Sequence, residues 1–224
     1  IIPYETSGRT IKNGITFRCM LPLFINRLSK RLGEQLPGKV AHKVMMIKSK
    51  RLTFNEDQKK KPAAVLILLY PIDNDWYFFL TKRTNIVEHH KGQISLPGGM
   101  IEKNESYKNA ALRETHEEIG VAIDEINIIG SLTPFYVPVS KFKIFPFVGW
   151  AVKKPKTVMH SIEVERIFSP SIKNLMLKKM KKEKKGILTD KSITIPYYDL
   201  DGEVVWGATS VILAEFKMVL EDII

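Results

Sequence analysis

The sequence predicts an α+β domain with an N-terminal helical extension. Three observations carry this reading. Residues 63–69 are a continuous apolar run, the pattern of a strand buried on both faces. Residues 107–119 lie between Ser106 and Gly120, a helix N-cap and a helix stop. The order of strands, helix, strands and closing helix suits layered α+β packing.

The elements follow in chain order. Residues 21–36 place apolar side chains at helical spacing, and Pro37-Gly38 ends the pattern. Residues 48–61 are polar and charged and read as an exposed linker containing Lys59-Lys60-Lys61. Residues 1–61 are therefore expected to be an extension and 62–224 the main domain. A second strand over 76–81 is joined to the first by the turn sequence Asp73-Asn74-Asp75. After the helix at 107–119 come strands over 126–132 and 143–152. The stretch 163–168 is ambiguous. A helix is expected over 171–183, a strand over 192–198 and a closing helix over 208–221. No internal repeat or low-complexity segment stands out.

Composition narrows the classes. With 224 residues, 44% of them hydrophobic and 9% aromatic, the chain has enough apolar mass for a real core. No apolar run of about 18 residues is present, so no membrane-spanning helix is expected. No signal-peptide pattern stands out. The single cysteine, Cys19, excludes an intrachain disulfide framework and suits a reducing, cytoplasmic setting. The net charge of +11 suggests nucleic acid at first sight. Yet no nucleic-acid module is recognisable, and the lysines are local, with six of them between 178 and 185. Such a run is usually a solvated face. Its functional alternative is an electrostatic funnel for a polyanionic small substrate. A small-molecule partner is expected, and no nucleic acid.

Residues 98–121 carry the chemistry. Gly99, Glu105, Arg113, Glu114, Glu117, Glu118 and Gly120 stand at the spacing Gly-x5-Glu-x7-Arg-Glu-x-x-Glu-Glu-x-Gly. On one helix Glu114, Glu117 and Glu118 share a face. Three close carboxylates repel one another unless a cation joins them, and hard oxygen ligands suit Mg²⁺ or Mn²⁺. Ala110 and Ala111 fall on that face too, where small side chains would leave room for a phosphate. Leu112, Thr115 and Ile119 lie about a third of a turn away and should meet the core. The turn Pro97-Gly98-Gly99 lets backbone approach the metal closely, which makes Gly99 a candidate ligand. Taken alone, an Arg-Glu-x-x-Glu-Glu run is an acidic surface face. The fixed glycines and Glu105 reverse that reading.

The spacing resembles the signature of the Nudix hydrolases, which cut the diphosphate of nucleoside diphosphates linked to another group. The resemblance implies an α/β/α sandwich around a mixed sheet. It implies Glu114 and Glu118 as metal ligands, with Glu117 close behind. It also implies that one carboxylate, Glu117 or Glu118 or, from a loop, Glu163, serves as general base. Arg113 then orients a motif glutamate, and Glu105 holds Arg113 or the loop. Thr115 departs from the aliphatic residue usual at its position, and its hydroxyl can be satisfied on the helix backbone. A non-catalytic Nudix-fold binding protein would typically have a box broken at the glutamates, and here the box is intact.

The upstream run is more specific. Thr81-Lys82-Arg83, then His90-Lys91-Gly92-Gln93-Ile94-Ser95-Leu96-Pro97-Gly98-Gly99, resembles the coenzyme A diphosphatase branch. Leu36-Pro37-Gly38, Ala41-His42, Leu132-Thr133-Pro134 and Trp206-Gly207-Ala208-Thr209 extend that resemblance over roughly residues 21–220. Leu96 stands where the branch tends to have Phe. The resemblance implies cleavage of coenzyme A or acyl-coenzyme A to 4′-phosphopantetheine, or its acyl form, and adenosine 3′,5′-bisphosphate. ADP-ribose and dinucleoside polyphosphates are the competing substrates. Arg83, His90 and Gln93 become candidates for substrate binding. Arg83 is the better phosphate contact, because its fork matches phosphate oxygens. His90 and Gln93 suit a supporting role.

Overall fold

The computed structural model describes residues 4–8, 18–47, 60–84, 92–159, 162–188 and 191–224. An antiparallel pair opens the chain, β1 (Tyr4–Gly8) with β2 (Arg18–Pro22). Helix α1 (Leu23–Leu32) follows and is shorter than the 21–36 pattern suggested. Its C-terminal Gly33 N–H bonds back to the carbonyl of Lys30. A single helical turn, α2 (Lys39–His42), comes next. Of the expected linker, residues 48–59 lie outside the described residues.

The central sheet is built on β3 (Lys61–Ile72). After a turn in which Asp73 adopts a left-handed φ of 50°, β4 (Asp75–Phe78) pairs back on it. The strand expected over 76–81 breaks at Phe79. Its second half, β5 (Leu80–Arg83), belongs to another sheet with β6 (Ile94–Ser95). Strand β7 (Gly98–Met100) returns to pair with β3. Helix α3 (Tyr107–Ile119) runs between Ser106 and Gly120 as expected. A 3-10 turn at Ile123–Glu125 leads to β8 (Asn127–Ser131), β9 (Phe135–Val137) and β10 (Phe142–Trp150). Strand β10 lies parallel to β3, while β8 and β9 pair antiparallel to it.

The apolar run in β3 is explained by its two covered faces. Ala64, Leu66, Leu68 and Tyr70 face α3, in a core with Ala110, Ala111 and Ile119. The alternate residues Ile67 and Leu69 face a second core that takes in Ile25 and Leu28 of α1. Helix α5 (Gly207–Glu221) supplies Leu213 and Phe216 to that same core. The result is the mixed sheet between helical layers that the α+β reading requires.

The ambiguous stretch is β11 (Val164–Phe168), paired with β5. The expected helix over 171–183 is only partly present. Helix α4 (Ile172–Met176) stops early, a 3-10 turn spans Lys178–Met180, and the lysine-rich run becomes β12 (Lys181–Leu188). Strand β12 pairs along its whole length with β13 (Lys191–Leu200), which pairs in turn with β14 (Glu203–Trp206). Cross-strand pairing overrides weak local preference here. Among the described residues no helix is long and apolar enough to cross a membrane.

Residues 23–45 are not a loose appendage. Glu215 on α5 is fully buried and accepts hydrogen bonds from Gly38 N–H (3.0 Å), Thr133 N–H (3.1 Å) and the Thr133 hydroxyl (2.6 Å). Its other contact is His42 Nε2, 2.9 Å away. Burial raises the carboxyl, but these contacts together more than offset that, so its pKa lies below the ordinary range. The network joins α2, the loop at Thr133 and α5.

Candidate active site

Two glycines create the space at the site. Gly98 has a φ of 150°, and a Cβ there would lie 2.2 Å from the carbonyl oxygen of Ala64, so only glycine fits. A Cβ on Gly99 would lie 2.5 Å from the carboxylate of Glu114. The pairing of β7 with β3 therefore brings backbone directly against the motif helix.

Helix α3 holds its carboxylates by ordinary means. Asn109 N–H donates to Ser106 Oγ (3.2 Å), and Gly120 ends the helix at a φ of 71°. Thr115 is fully buried and its hydroxyl donates to the Ala111 carbonyl at 2.6 Å. Its departure from an aliphatic side chain is thus absorbed within the helix.

Arg113 is a clasp. Nε and Nη2 meet the two oxygens of Glu105 at 3.0 and 3.1 Å. Nη1 meets Glu114 at 3.0 Å and Glu117 at 2.9 Å, and Nη2 also donates to the Met100 carbonyl at 3.1 Å. The hydrogen bonds to Arg113 pull the Glu105 carboxyl below its ordinary range. Glu105 in turn, with Glu114, keeps the guanidinium firmly protonated. Glu117 is about half exposed on this rim.

Glu118 turns the other way and is 6% exposed. Its Oε2 accepts from Gly98 N–H at 3.3 Å, and Oε1 lies 3.9 Å from Arg83 Nη1. Burial pushes its carboxyl up to about 8, against the pull of Arg83 and of the Gly98 N–H. Burial also raises Glu114, only partly countered by Arg113. Arg83 closes the site from β5, with Nη2 on Glu163 at 2.5 Å. Gln93 is adjacent through its backbone, whose carbonyl accepts from Arg83 N–H at 3.0 Å. His90 lies outside the described residues.

Two expectations need correction. The three motif glutamates do not point together: Arg113 draws Glu114 and Glu117, while Glu118 faces Gly98 and Arg83. Among the described residues no three His, Cys, Asp or Glu side chains are placed to hold one metal ion. Ala110 and Ala111 are fully buried against β3 and line no open phosphate space. They do share a face with Glu114 and Glu118, but that face looks onto the sheet. Leu112, Thr115 and Ile119 meet the core as expected, Leu112 only partly buried. The link from Arg83 to Glu163 and Glu118 carried no spacing signal in the sequence.

Known proteins are similar to this chain in sequence over more than half of its length. Nudix hydrolase 3 of Caenorhabditis elegans is 33% identical over 134 residues, covering 58% of this chain and 55% of that protein. The mitochondrial Nudix hydrolase 15 of Arabidopsis thaliana is 30% identical over 192 residues, covering 80% and 66%. A mitochondrial coenzyme A diphosphatase of Homo sapiens is 29% identical over 166 residues, covering 70% and 68%. The chain thus spans between about half and two-thirds of the length of the first two. Residues 60–190 match the NUDIX domain, more than half of the 224 residues. With the box at 99–120 inside that span, the chain belongs to the NUDIX domain family.

Proposed function

We propose that the protein is a hydrolase that uses Mg²⁺ or Mn²⁺ to cleave the diphosphate of coenzyme A or its thioesters. The observation that carries the reading is the inward face of α3. There the raised carboxyls of Glu114 and Glu118 stand beside the opening left by Gly98 and Gly99. Buried carboxylates short of compensating charge are sites that a small hard cation stabilises. Glu114 and Glu118 are the side chains that would hold it, with Glu117 as the next candidate and the Gly99 backbone close to Glu114. A divalent cation held there would neutralise charge on phosphate oxygens and acidify a water.

The chain's own groups do the rest. Arg113, fixed by Glu105, orients Glu114 and Glu117. Glu163, Glu117 or Glu118 takes the proton from the attacking water. Arg83 offers forked donors to phosphate. Gln93 supports that segment through its carbonyl, which accepts from Arg83 N–H, and His90 is a supporting residue on the sequence resemblance alone. The lone cysteine suits a reducing cytoplasm, and the mitochondrial names of two relatives make that organelle the competing compartment.

The choice of coenzyme A rests on the run from Arg83 to Gly99, on the coenzyme A diphosphatase among the relatives, and on the +11 charge. Coenzyme A carries a 3′-phosphate that ADP-ribose lacks. A charged contact to it contributes about 1.5–3 kcal/mol, enough for a tenfold preference. The test is kcat/KM across coenzyme A, dephospho-coenzyme A, ADP-ribose and NADH at matched metal. Coenzyme A should lead, with an advantage that shrinks as salt rises. Faster cleavage of ADP-ribose would leave only the Nudix reaction class.

A further inference from the structure

Arg83 is held between carboxylates from two different elements. Nη1 faces Glu118 on α3 at 3.9 Å, and Nη2 grips Glu163, just ahead of β11, at 2.5 Å. Its Nε is buried with no hydrogen-bond partner among the described residues. The backbone fixes both ends of the Glu163 contact. Arg83 N–H donates to the Gln93 carbonyl at 3.0 Å, and Thr84 N–H donates to the Glu163 carbonyl at 2.7 Å. Glu163 itself is about half exposed at its side chain, so its carboxylate borders solvent.

We propose that Glu163 is an internal counter-anion that competes with substrate phosphate for Arg83, and so selects for strongly charged ligands. The proposal rests on the reading of Arg83 as a phosphate contact. A guanidinium presents five donors in a planar fork suited to phosphate. Glu163 occupies one prong, and Nε has no hydrogen-bond partner among the described residues. A diphosphate brings several oxygens and more charge than one carboxylate, so it displaces Glu163. A monophosphate gains less from the same exchange. Glu163 is then a specificity-determining residue whose effect appears in binding, before any chemistry.

Binding of ADP and AMP, measured by calorimetry with Mg²⁺ at fixed low salt, tests this. Glu163→Gln removes the competitor and should tighten ADP binding about three- to tenfold, the range for a partly exposed, charge-assisted ion pair. The preference for ADP over AMP should shrink. Glu165→Gln is the control for loss of negative charge, since Glu165 lies two residues further on, within β11, and pairs with Lys82 at 3.8 Å. It should change ADP binding by less than about twofold. Arg83→Gln should weaken ADP binding, and adding Glu163→Gln to it should restore nothing. Arg83→Lys, which keeps the charge without the fork, should bind ADP between wild type and Arg83→Gln. Unchanged or weaker binding in Glu163→Gln overturns the proposal. So does tightening that persists without Arg83 or appears equally in Glu165→Gln. If Arg83→Gln leaves ADP binding untouched, the phosphate role of Arg83 falls with it. If only Glu163→Gln is silent, that role stands and the competition alone is refuted.

Discussion

Glu118→Gln separates the two demands placed on one side chain. Glu118 is 6% exposed, and burial lifts its carboxyl from the ordinary 4.5 to about 8. A carboxyl with a higher value folded than unfolded binds its proton more tightly in the folded protein. Its contribution is therefore most favourable at and below pH 4.5 and is lost as pH rises through about 8. At 1.36 kcal/mol per pH unit, the gap sets an upper bound of roughly 5 kcal/mol. Relaxation around a buried charge reduces this, and about 2 kcal/mol is the expected effect. Glutamine keeps the shape and removes the charge. In EDTA the variant should melt with wild type near pH 5 and about 4–8 °C above it near pH 9. With Mg²⁺ or Mn²⁺ its turnover should fall at least about a hundredfold. A variant less stable than wild type at pH 9 in EDTA would refute the electrostatic account of this face.

Four further outcomes follow from the packing and the buried charges. Ala111→Leu overfills a fully buried position and should cost about 1–3 kcal/mol in thermal unfolding; an unchanged melting temperature with lost activity would return Ala111 to the phosphate side. Gly99→Ala puts a Cβ 2.5 Å from the Glu114 carboxylate, so activity should drop about tenfold or more while circular dichroism is unchanged; wild-type turnover would show that the close approach is dispensable. His42→Ala leaves the buried Glu215 short of a partner and should cost about 3 kcal/mol. Because the Glu215 carboxyl lies below its ordinary range, the stability it gives is present above pH 4.5 and lost on further acidification. A pH–stability profile that is unchanged in Glu215→Gln would refute this.

Local chemistry was legible where it is self-contained. Ser106 and Gly120 bound α3 because capping and left-handed termination are decided within a few residues. The apolar run at 63–69 announced a buried strand, and its two covered faces are what made it continuous. Periodicity placed Ala111, Glu114 and Glu118 on one face, but it cannot say which way a face looks when it mixes alanine with carboxylates. Only the sheet beneath α3 decides that. The lysine-rich run became a strand because β13 pairs with it along its length, a cross-strand effect absent from its own residues. The split of 76–81 into two sheets likewise depends on partners far along the chain. Arg83 stood out as a cation, but its contacts with Glu118 and Glu163 join three elements and left no trace in spacing.

The most direct test of the account is product identification after incubation of coenzyme A with Mg²⁺ or Mn²⁺. Equimolar 4′-phosphopantetheine and adenosine 3′,5′-bisphosphate should accumulate, EDTA should stop the reaction, and Glu118→Gln should leave only background. Release of inorganic phosphate instead, or the same product yield from Glu118→Gln as from wild type, would contradict diphosphate cleavage at the inward face of α3.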